Sequence, residues 1–151
     1  MKSEQPQMQT YGEEHVPAFG YELLRMVLLP ELLGEELEPI LYWAGRKLAR
    51  KYPCNTIEEL ISFFEQAAWG SLEFCEESKG KMKFELRSNL INARFKDKSN
   101  DKFSLESGFL AEQIQHIKGF TADSLTEIKN NRDKRVLFEV AWDTKDPIKN
   151  T

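Results

Sequence analysis

A chain of 151 residues, 40% hydrophobic and 30% charged, has the size and composition of one soluble globular domain. Its net charge of −4 argues against generic binding to nucleic acid, which needs a basic face to neutralise phosphates. The densest apolar stretch, Ala18 to Leu33, is too short to span a membrane and contains Glu22, Arg25, Glu31 and Pro30.

Residues 1–14 are polar, contain Pro6 and Gly12, and lack the apolar core of an export signal. This predicts a cytoplasmic protein with an unstructured N-terminal tail over 1–16. Pro17 suits the first turn of a helix running to Leu29. That helix carries two apolar stripes: Phe19, Leu23, Met26 and Val27 on one, Tyr21, Leu24 and Leu28 on the other. One core cannot cover both. Pro30 ends or kinks it.

A second helix is expected over Glu35 to Lys51, with Leu37, Ile40, Leu41, Ala44 and Leu48 at helical spacing and Tyr52 continuing the series. Ala44-Gly45 allows another backbone to approach closely, and Tyr42-Trp43 lies off the main stripe. Pro53 breaks the chain. Thr56 and Glu59 have capping-box spacing and open a third helix, carrying Ile57, Leu60, Ile61, Phe64 and Ala68, with Gly70 as its C′ residue.

The period then changes from helical to alternating. Leu72 and Phe74, a turn at Glu77 to Gly80, and Met82, Phe84 and Leu86 predict a β-hairpin with one apolar face. Ile91, Ala93 and Phe95 also alternate, so the second strand continues or a short third one forms. The polar run Lys96 to Asp101 reads as a mobile loop. A fourth helix spans Ser104 to Lys118 with Leu110, Ile114 and Ile117 inward, closed by Gly119. Thr121 to Lys129 and Arg135 to Asp143 make a second hairpin, and 144–151 a frayed tail. The sum is one α+β domain over 17–143: an antiparallel sheet of about four strands, in two hairpins, packed against four main helices.

Few residues offer chemistry. Cys54 and Cys75 are too far apart in sequence for a zinc motif and read as reduced thiols, with a single disulfide left open for an exported protein. His15 and His116 read as surface residues, so no metal or cofactor is expected. Glu35-Glu36 and Glu58-Glu59 sit in first turns, where carboxylates favour the helix dipole. Arg87 and Arg94 flank a polar turn and are candidate anion ligands. An enzyme would have to assemble a distant cluster such as Glu127 with Arg87 or Arg94. Phe64, Trp69, Phe74 and Phe84 could instead line a pocket for an apolar ligand, between the third helix and the sheet. Tyr21, Leu24, Leu28, Tyr42 and Trp43 are the apolar surplus and the candidate interface of a homodimer or with a partner protein.

The run GYELLRMVLLPELLGEELEPILYWAGRKLARKYP, from Gly20 to Pro53, resembles the YslB-like family, small proteins of Bacillus-type bacteria whose function is unknown. More distantly, Ala44-Gly45-Arg46-Lys47-Leu48-Ala49, Trp69-Gly70 and FSLESGFLAEQI with Gly108 are similar to the superfamily of small TRAPP tethering subunits and 4-vinyl reductase-type domains. The resemblance, from Pro17 to Asp143, implies an α+β fold, dimerisation through the early helices and often a hydrophobic cavity for a small or acyl ligand. Glu112 stands where that group has a second glycine, and EIKNNRDKRVLFEVAW keeps Glu127 but lacks the group's late cysteines. The predicted third helix has no cysteine for the acyl attachment of some tethering subunits. The relatives' metal and cysteine chemistry is therefore not implied here.

Overall fold

Helix α7 (Ser104–Lys118) is the axis of the molecule. The computed structural model describes residues 5–12 and 14–149. Within α7 every residue from Glu106 to Ile114 is buried, including Glu106, Ser107, Glu112 and Gln113. It packs on β3 and β4 on one side and on helix α4 on the other.

In chain order the elements are α1 (Met8–Tyr11), α2 (Ala18–Glu22), a π-helical turn (Leu23–Leu28), α3 (Leu29–Leu33), a 3₁₀ turn (Gly34–Glu36), α4 (Leu37–Lys51) and α5 (Ile57–Gln66). Then come β1 (Ser71–Ser78), β2 (Lys81–Arg87), α6 (Asn89–Lys96), α7, β3 (Phe120–Lys129) and β4 (Arg135–Pro147). All strand pairs are antiparallel, in the order β1-β2-β4-β3, so the two expected hairpins meet through β2 and β4. Met82 opposes Val140, Phe84 opposes Phe138 and Leu86 opposes Val136, which brings three apolar pairs onto the inner face. The outer face carries ion pairs such as Lys81–Glu139, Lys83–Glu76 and Arg87–Glu85. Alternation of strand side chains accounts for this division.

Close approach fixes the α4–α7 crossing. A Cβ on Gly108 would stand 1.9 Å from the Tyr42 carbonyl oxygen, and one on Gly45 2.1 Å from that of Leu105. One turn beyond Gly108, Glu112 accepts from Arg46 Nε (2.9 Å) and Arg50 Nε (3.1 Å).

Several local expectations are corrected. Of the two outcomes left open at Pro30, the helix does not end there: the backbone widens to a π turn just before it and continues to Leu33, with the Leu29 N–H reaching back to the Leu24 carbonyl. Widening relieves the clash of a proline ring with the preceding turn. Ala68 takes the left-handed conformation after α5 (φ 61°), and Gly70 (φ 136°) serves close packing, since a Cβ there would meet the Arg87 carbonyl at 2.7 Å. Residues 89–96 form a helix and not a strand, because Ser88 caps Ile91 N–H (3.0 Å) and Ile91, Arg94 and Phe95 share its buried face. The polar loop after it is anchored through Asp101, which accepts from Phe103 N–H (2.9 Å) and from two arginines.

The ends are also more ordered than the composition suggests. β4 runs past Asp143 to Pro147, which pairs with Phe120, and Ile148 N–H donates to the Gly119 carbonyl. Within the expected N-terminal tail, Gln5 donates to the Lys51 carbonyl and the Tyr52 hydroxyl to that of Pro6, while residues 1–4 lie outside the described residues.

Candidate functional site

The two stripes of the first helical segment have different fates. Phe19, Leu23, Met26, Val27 and Pro30 line an open cleft of about 610 Å³ between that segment and the body. Leu37, Leu41, Leu90 and Ala93 supply the opposite side. This is within the usual size of a small-ligand site and largely apolar, as such sites are. Leu24 and Leu28, on the other stripe, stand 59% and 45% exposed.

Buried charge forms the polar end of the cleft. Arg25 enters from the π turn, donating to Glu106 (2.6 Å), Asp101 (3.3 Å) and the Tyr21 hydroxyl (3.0 Å). Arg94 enters from α6, donating twice to Glu22 (2.6 and 3.0 Å) and once to Asp101 (3.3 Å). Both guanidiniums lie beside the buried Phe103 ring, 5.9 and 5.8 Å from its centroid. Phe103 itself holds a left-handed backbone (φ 56°), an uncommon conformation for an aromatic residue. Burial opposes the charge of Arg25, but Glu106 and Asp101 outweigh it and raise its pKa. The same balance, with Glu22 as the main partner, raises that of Arg94 against burial and the nearby Arg25 charge. Glu106 is fully buried, and its Oε2 has no hydrogen-bond partner among the described residues.

The residues singled out from sequence are distributed as follows. Trp43 is 55% exposed, its ring covered on one side by the Lys47 ammonium at 4.1 Å. Tyr21 and Tyr42 are half-buried. Tyr21 packs on the core, and the Tyr42 hydroxyl accepts from Ser124 N–H (3.1 Å) and Arg46 (3.3 Å). Phe64, Trp69 and Phe84 are core side chains. Phe64 and Trp69 meet edge to face at 5.0 Å, and both contact Phe109. Phe74 is half-exposed on edge strand β1, its ring 5.9 Å from that of Phe84. Phe64, Trp69 and Phe109 pack ring on ring, and none of the four residues Phe64, Trp69, Phe74 and Phe84 lines the cleft beside the first helical segment.

Arg87 and Arg94 do not converge. Arg87 lies on the outer face, paired with Asp133 and Glu85, which raise its pKa. Arg94 belongs to the buried network. Glu127 pairs with Lys129 on the exposed surface, and the interactions among the described residues join it to neither arginine. Cys54 is buried and Cys75 exposed, both as free thiols. Among the described residues, no group of three or more His, Cys, Asp and Glu is placed to hold a metal ion. Sequence reasoning missed Arg25, Asp101 and Glu106. The available signal was an arginine in the middle of an apolar helix, which demands a buried acid.

The four-stranded antiparallel sheet packed on a central buried helix places this chain in the fold class of a vinyl-4-reductase family protein. A vinyl-4-reductase family protein from Methanocaldococcus jannaschii superposes with a TM-score of 0.62, covering 89% of this chain and 87% of that one. At 19% identity the likeness is one of fold alone. The chain belongs to the family described as Protein of unknown function (DUF2507), whose model matches residues 18–141. It is 42% identical over 136 residues to the uncharacterized protein YslB of Bacillus subtilis (strain 168), covering 90% of this chain and 91% of that protein. No helix among the described residues is long and apolar enough to cross a membrane.

Proposed function

We propose that this chain is a non-enzymatic cytoplasmic binding module that pairs with a second copy of itself through the bare stripe of its first helical segment and takes an apolar guest in the adjacent cleft. The observation that carries the reading is that one helical segment holds two apolar stripes the core does not cover, one along the cleft (Phe19 72% and Val27 61% exposed) and one away from it (Leu24 59% and Leu28 45% exposed). Leu24, Leu28 and Trp43 form the self-association surface, and Leu32 and Ile40, also exposed, extend it. Tyr21 and Tyr42, both half-buried, belong to the same interface. Exposed apolar patches on a small domain mark interaction sites.

Light scattering on fractionated protein tests this. The intact chain is expected to scatter as a dimer at micromolar concentration. Each fully buried leucine contributes about 1.5–3 kcal/mol, so Leu24→Glu with Leu28→Glu weakens association by about two orders of magnitude or more. A monomeric intact chain refutes the proposal.

A further inference from the structure

The residues lining the cleft carry more negative than positive charge, and its two arginines are already committed. Arg94 spends its guanidinium on Glu22 and Asp101, and Arg25 on Glu106, Asp101 and Tyr21. A carboxylate guest would find no free fork on either. Of the residues lining the cleft, Glu22, Glu38, Asp97 and Asp101 are acidic, against Arg25, Arg94 and the exposed Lys102. Glu106, behind Arg25, adds another carboxylate, one of whose oxygens lacks a partner. Asp97, at the C-terminal end of α6, lies where the helix dipole is negative. Among the described residues its carboxylate holds no hydrogen bond or ion pair.

From this charge balance we infer that the cleft takes an amphipathic small molecule with an aliphatic body and a cationic, ammonium-type head. The body lies along Phe19, Leu23, Val27, Leu37 and Leu90. The head meets Asp97 and the acidic rim of the Arg94 network. The inference rests on the reading of the cleft as a binding site and specifies the chemistry of its occupant.

Octylammonium, octanoate and octan-1-ol, titrated into full-length protein at matched ionic strength, test it. Amide shifts of 18–30 and 90–102 report on the cleft. Octylammonium is expected to move these amides and to bind about tenfold or more tighter than either other probe. Asp97→Asn should weaken octylammonium about threefold and leave octan-1-ol unchanged. Octanoate or octan-1-ol binding in the cleft as tightly as octylammonium overturns the head-group assignment and leaves an apolar site standing. No shift with any probe overturns the cleft as a binding site, and the inference with it. A control with Ala93→Trp, which fills the cleft, should abolish the shifts. Shifts that survive that substitution place the probe elsewhere and also overturn the inference.

Discussion

Single side chains set the tolerances of this molecule. At Gly108 a methyl group would overlap the Tyr42 carbonyl, a backbone atom that cannot rotate away. Gly108→Ala must push α4 and α7 apart and is expected to cost about 1–3 kcal/mol or more. Gly20 lies in α2 with open space around the point a Cβ would occupy, nothing standing within 4 Å of it, so Gly20→Ala should stabilise by about 0.5–1 kcal/mol. Urea unfolding of the two variants checks the opposite signs. Cys54 offers a pH test. Burial, aided by Glu59, pushes its thiol up to about 11 from an ordinary value near 9.0. Between those values the folded state keeps a proton that the unfolded chain has released. Stability is therefore undiminished by this group below about pH 9 and falls as pH rises towards 11. The fall in urea midpoint over that window should be smaller in Cys54→Ala. At neutral pH an alkylating reagent should label exposed Cys75 long before Cys54.

At the scale of elements, the first helical segment is held to the body by charge as much as by packing. Arg25 bridges the π turn to the N-terminal turn of α7, and Glu22 binds Arg94 on α6. Arg25→Met would leave Glu106 buried without its counter-charge, at a cost of about 3–5 kcal/mol. The double variant Arg25→Met with Glu106→Gln removes the orphaned charge and should recover most of that loss. Equilibrium unfolding of the single and double variants distinguishes a clamp from a bystander. The same network shows where the sequence was opaque. Ile91, Ala93 and Phe95 fit a strand only if Arg94 is counted as an outward polar residue; with Arg94 inside, Ile91, Arg94 and Phe95 give a helical face. Helix α7 hid its burial in the same way, because Glu106, Glu112 and Gln113 look solvated until their partners Arg25, Arg46 and Tyr52 are placed. Elements whose inner faces are mainly apolar were legible: α4, α5 and both hairpins, as was the Thr56 cap, which accepts from Glu59 N–H at 3.1 Å.

For the whole molecule, the sheet order and the α4–α7 crossing follow from alternating strands and two glycines. Periodicity and close-packing signals thus carried the fold class. The candidate site was half legible. Two stripes on one helix announced surplus apolar surface, but only the three-dimensional path of 18–33 shows that one stripe runs along an open cleft. The buried acids came from distant stretches, which no local pattern connects. Sedimentation equilibrium of the intact chain across micromolar concentrations measures the association directly. A reversible monomer–dimer equilibrium is expected, shifting to monomer when Leu24 and Leu28 become glutamate. A single species of one chain mass at every concentration would contradict it.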